Sequence, residues 1–143
     1  MPPLYLLHPP VVHFPIALLS VGLAGAIVNA CSKRWAWLAD AVSWALWLGT
    51  ASAWVAGGLG LLAAKTAPHV PPAWETLANH QTLAYWTVGS FTVLSLWRLF
   101  FRARWPRLFL IGWLAAVGLL MATGYQGGEL VFTHNMGTAA SLP

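Results

Sequence analysis

The stretch Leu7-His8-Pro9-Pro10-Val11-Val12-His13-Phe14-Pro15-Ile16-Ala17-Leu18-Leu19 decides how the chain is read. It opens an uncharged run that continues to Ser32. From Val11 to Ser32 is 22 residues, or about 33 Å of helix at about 1.5 Å per residue. That length crosses a hydrocarbon core of about 30 Å. Two histidines and three prolines stand where such a helix begins. The residue before a proline is steered away from helix. The helix therefore starts either near Pro10, with Pro15 kinking its first turns, or at Pro15, where a missing N–H costs nothing.

The rest of the composition agrees with a membrane protein. The chain is 59% hydrophobic and 7% charged, against roughly 25% charged residues in a soluble domain. Its 143 residues suit one domain. The net charge of +4 sits in short turns between apolar runs, which is a topology signal and not a nucleic-acid footprint. No Lys or Arg precedes the first run, so it is expected to be a retained span and not a signal peptide.

Three more apolar runs follow, and the expected fold is all-α: a four-span antiparallel bundle over about 11–32, 35–64, 73–100 and 106–126. Gly22 and Ala26 form a small-xxx-small pair that lets another helix approach. Gly57, Gly58 and Gly60 leave room for a backbone or for something bulky and planar. The third run is polar for a span, with Gln81, Thr82, Tyr85, Thr87, Ser90, Thr92 and Ser95 expected to face the bundle. Gly124, Gly127 and Gly128 are expected to break the fourth, leaving Glu129 in a tail. The first and third turns carry Lys33, Arg34, Arg98, Arg102, Arg104 and Arg107, and the opposite side carries Lys65. By the positive-inside rule both termini lie outside the cytoplasm, in the periplasm of a bacterium, with the chain in the inner membrane.

On that map all five histidines fall at the outer side. Neutral imidazole is a common ligand for haem iron, zinc and copper. His13 and His80 come from different helices, below the loops, and are the preferred axial pair for a b-type haem. His8 and His134, expected to be more exposed, form a second pair, bind a separate metal, or steady the first shell. His69 lies among prolines in a loop and is the weakest ligand. With the outer-face acids Glu75 and Glu129, of which Glu129 is the preferred one, His13, His80 and His134 instead suit a zinc or copper site. One cysteine, Cys31, excludes both a covalent CxxCH haem attachment and a thiolate cage within the chain. The HExxH zinc motif is absent too, and no hydrolytic nucleophile stands out. The third class of function is a structural accessory subunit of a respiratory or photosynthetic complex.

The opening stretch, Ala78-Asn79-His80, and Gly124-Tyr125-Gln126-Gly127-Gly128-Glu129-Leu130-Val131-Phe132-Thr133-His134 together resemble a bacterial membrane-protein family, domain of unknown function 2231. The resemblance covers nearly the whole chain. It implies a four-span domain and, because such domains occur beside or fused to cytochrome c modules, an electron-transfer role with haem. Its signature histidines fall on His8, His13, His80 and His134. The glycine that usually follows the last of them is Asn135 here, with Gly137 later. The expected function is a b-type cytochrome-like subunit with one or two haems near the periplasmic face. Its expected partners are a periplasmic cytochrome c or a larger membrane redox complex, with a quinone as a further candidate.

Overall fold

A computed structural model of the chain describes residues 4–32, 34–68, 70–101 and 104–136. His69, Lys33 and Arg102 lie outside the described residues. A 3-10 turn over Leu4–Leu7 leads into α1 (His8–Val11) and α2 (His13–Cys31). Then come α3 (Leu38–Thr66), a 3-10 turn at Pro71–Ala73, α4 (Trp74–Phe101) and α5 (Pro106–Phe132). The helical run starts earlier than either sequence alternative, at His8, because Pro9 and Pro10 occupy first-turn positions where no N–H is needed. Val12 separates α1 from α2 but keeps helical dihedrals, and its N–H donates to the His8 carbonyl at 3.2 Å.

The helices pack as a ring. α2 lies chiefly on α3 and α4 chiefly on α5, while α3 meets α4 and α2 meets α5. The centre is closed by Leu19, Leu46, Phe91 and Trp113, all fully buried. Two glycines set how near the helices come. A methyl group on Gly49 would lie 2.6 Å from Leu19 Cδ2, and one on Gly22 would lie 2.9 Å from the Trp113 ring.

The expectation of four spans is corrected to three. Tyr5–Cys31, Leu38–Thr66 and Pro106–Phe132 are long and apolar enough to cross a membrane. α4 has the length, 28 residues, but not the apolar character. The reason is its polar content, and much of that content is paired within the bundle. Thr87 Oγ1 bonds Thr123 Oγ1 at 2.9 Å, and Ser95 Oγ bonds Thr50 Oγ1 at 2.8 Å. Arg98 Nε donates to Ser43 Oγ at 2.9 Å, and Trp54 Nε1 donates to Thr92 Oγ1 at 3.1 Å. Three spans do not by themselves return a chain to its starting side, so two periplasmic termini no longer follow from counting spans. The protein is an all-α, multi-pass membrane protein, with three candidate spans among the described residues.

α5 also runs past the expected break, through Gly127 and Gly128 to Phe132. A helical glycine costs only about 1 kcal/mol against alanine, and here packing outweighs it. Glu129 therefore stands on a helix, half-buried, and not in a tail.

The two halves of the chain match in register. The buried positions Pro15, Leu19 and Gly22 of α2 recur 72 residues later as Thr87, Phe91 and Leu94 of α4. Val42, Leu46, Gly49 and Ala53 of α3 recur 67 residues later as Phe109, Trp113, Ala116 and Leu120 of α5. The equivalent carbonyls each accept from the other half, though from donors at different register positions: Leu19 from Trp113 Nε1 at 3.1 Å, and Phe91 from Thr50 Oγ1 at 3.5 Å. The fold is thus two equivalent helical hairpins packed face to face.

Substituting Gly49→Ala will destabilise the bundle by about 1–3 kcal/mol, the usual range for overpacking. Thermal unfolding in detergent, followed by loss of monodispersity, checks this. Gly118→Ala, where an added methyl meets nothing within 4 Å, should leave the transition where it was or raise it.

Candidate functional site

The helix ends carrying His8, His80 and His134 meet at one end of the bundle. His8 Nδ1 donates to the Ala56 carbonyl of α3 at 2.9 Å. His80 Nδ1 donates to the Thr123 carbonyl of α5 at 3.0 Å. A carbonyl only accepts, so each ring must carry its proton on Nδ1. Each Nε2 is left with its lone pair, the state required of a metal ligand whose other nitrogen is held by a backbone oxygen.

A glycine one turn beyond each carbonyl makes room for the ring. A methyl group on Gly60 would come within 3.0 Å of His8 Cε1, and one on Gly127 within 3.2 Å of His80 Cε1. Each hairpin thus supplies the same three parts: an imidazole from its first helical segment, a carbonyl from its second, and a glycine four residues after that carbonyl. The two rings then meet, with centroids 6.3 Å apart and planes at 78°. Burial pulls the His80 imidazole below its ordinary pKa; the Thr123 carbonyl opposes this and the neighbouring His8 adds to it. The ring is therefore held neutral at physiological pH, the form that ligates.

The structure brings His8, not His13, against His80. His8 and His13 are five residues apart, so on one helix they point about 140° from each other and cannot both face the bundle. His8 is half-buried and His13 is exposed, with Nδ1 donating to the Pro9 carbonyl at 2.9 Å. The expected exposure of the two is thus reversed. His134 is half-buried, and its Nε2 lies 3.5 Å from Thr76 Oγ1 at the start of α4. It is not paired with His8. Asn135 follows it with φ +53°. That is the left-handed region where glycine is favoured and asparagine is the best-tolerated substitute. The departure from the glycine of the resemblance is therefore accommodated by the backbone.

Among the described residues no three His, Cys, Asp or Glu side chains gather to hold a metal ion. Glu129 is accordingly not assembled there into a group with His13, His80 and His134. What sequence reading missed was the role of Ala56 and Thr123, whose contribution is a backbone oxygen. The available signal was the glycine four residues after each, at Gly60 and Gly127.

An all-α bundle with three apolar spans and a half-buried histidine pair at one end defines a class of multi-pass membrane protein. The chain belongs to the predicted membrane protein family DUF2231, whose pattern matches residues 5–140. Neither a curated relative nor a solved structure matches it.

The tautomer assignment predicts that histidine 15N spectra will show both His8 and His80 protonated at Nδ1. Gly127→Ala should disturb the His80 resonances and leave those of His8 nearly unmoved. Gly60→Ala should do the reverse.

Proposed function

We propose that the protein is a membrane-bound electron-transfer subunit carrying a b-type haem on His8 and His80, near the periplasmic face of the bacterial cytoplasmic membrane. The observation that carries this reading is the facing pair of half-buried imidazoles, each with Nδ1 committed to a carbonyl and Nε2 left to ligate. The separation of the two ring centres is compatible with one shared metal. Two nitrogen–metal bonds of about 2 Å on opposite sides of an ion, plus the radius of each ring, would separate the ring centres by about 6 Å. The observed separation is 6.3 Å.

The donor set favours haem over zinc or copper. Structural and catalytic zinc sites take three or four protein ligands. Haem iron takes its equatorial nitrogens from the macrocycle and needs only axial ligands from protein. Gly57 and Gly124 stand one turn from the two glycines in contact with the rings, and a methyl on either meets nothing within 4 Å. They leave open space on the helix surface one turn before each ring-contacting glycine.

A haem held there supplies one-electron chemistry, with its potential set by the axial ligands, burial and hydrogen bonds. The Ala56 and Thr123 carbonyls raise the basicity of the imidazoles and fix their orientation. The histidine end faces the periplasm in this reading because Arg34, Arg98, Arg104 and Arg107 mark the other end as cytoplasmic. The electron partner is then a periplasmic cytochrome c or a larger membrane redox complex. A quinone is the partner suited to the membrane phase.

Absorbance of protein purified in mild detergent from haem-sufficient native membrane tests the reading. A Soret band that sharpens on dithionite reduction, with a b-type α band appearing, is expected. A folded, colourless protein would sink it, and metal analysis would then decide between zinc or copper and a bare scaffold.

Orientation is checked through the single cysteine. Cys31 is exposed at the end of α2 remote from the histidines. A membrane-impermeant maleimide should label it only after cell lysis, and labelling in intact cells would reverse the assignment.

A further inference from the structure

The register match between the halves bears on what the histidine pair is. Exchanging the hairpins carries α2 onto α4 and α3 onto α5. It also carries the α2–α5 contact onto the α3–α4 contact, and both contacts are present. This is a pseudo-twofold relation, and it has an axis running along the bundle. α2 and α4 sit diagonally across the ring of helices, so histidines from these two sides can meet only near its centre. His8 and His80 are 72 residues apart, the same step that relates Leu19 to Phe91. Ala56 and Thr123 are 67 apart, as are Gly60 and Gly127, the same step that relates Leu46 to Trp113. Ligand, carbonyl and glycine therefore obey the same symmetry as the core.

We infer that His8 and His80 are the two equivalent halves of one metal-binding position on this internal axis, so that the chain holds a single six-coordinate haem with its axial imidazole planes close to perpendicular. The inference rests on the haem reading above and adds to it the stoichiometry, the pairing and the electronic geometry. Groups related by a twofold axis and facing each other across it share whatever lies on the axis, so one ligand is bound per chain and not one per hairpin. The angle of 78° between the rings is a consequence of the two cradles. Each ring is held by its own carbonyl hydrogen bond and packs beside its own glycine. Perpendicular axial imidazoles leave the iron d orbitals nearly degenerate. The oxidised low-spin state then gives a strongly anisotropic electron paramagnetic resonance signal, unlike the rhombic signal of parallel rings. His13 and His134 lie outside the symmetric set and take no part in ligation.

The test uses the full chain from haem-sufficient membrane, with haem quantified against protein and the oxidised state examined by electron paramagnetic resonance. One haem per chain and a strongly anisotropic low-spin signal are expected. His8→Gly and His80→Gly should each convert the signal to high spin, to the same extent. Added imidazole should restore low spin in both, which also shows that the variants fold. His13→Ala and His134→Ala should leave the signal unchanged. Two haems per chain, a rhombic signal from parallel rings, or loss of low spin on changing His13 or His134 would overturn the inference while leaving a haem protein. A wild-type protein without haem would overturn both readings.

Discussion

A polar group taken out of water must find a partner nearby, because leaving it unpaired costs about 1–3 kcal/mol. Much of this bundle follows from that constraint. α4 carries threonines, serines, a histidine and an arginine, and it is placed where α3 and α5 can receive them. The same constraint turns both inner histidines inward. Each gains a backbone carbonyl through Nδ1, and the two rings meet with centroids 6.3 Å apart. A structural requirement and a chemical opportunity are thereby met by one hydrogen bond on each side.

Repetition explains how so small a chain builds a central site. One hairpin of two helices has no interior. Two hairpins placed face to face create one, and each contributes the same kinds of parts. The small residues differ in detail while the geometry persists. Gly49 admits Leu19, and Ala116 stands at the equivalent place in the second half. Trp113 fills the volume on one side that Leu46 fills on the other. The carbonyl under His80 belongs to a threonine whose hydroxyl also bonds Thr87, whereas that under His8 belongs to an alanine. The two imidazoles are therefore equivalent in position but not identical in surroundings.

The charge bias carries a different kind of information. Arg34, Arg98, Arg104 and Arg107 gather at the end remote from the histidine pair. At that end an aromatic chain links Trp105, Trp97, Phe109 and Trp113 by edge-to-face contacts. Arg104 lies 5.3 Å from the centre of the Trp105 ring. One end of the bundle is thus cationic and aromatic, and the other holds imidazole.

The sequence by itself determined that the chain is helical, that it belongs in a membrane, and roughly where each long helix runs. Those facts depend on local hydropathy and on proline, which act over a few residues. It also drew attention to the histidines, which cluster at one side of the expected map. It misjudged α4 as a span because length was legible while the net effect of scattered polar residues was not. It ended α5 too early because the local cost of Gly127 was visible and the ring packed against it was not. Only the tertiary structure decided which histidines meet. His8 and His13 look alike in sequence, and the turn of the helix sends one inward and the other out. The partners that hold the inner rings are main-chain oxygens of Ala56 and Thr123, which every residue carries and no side-chain motif can advertise.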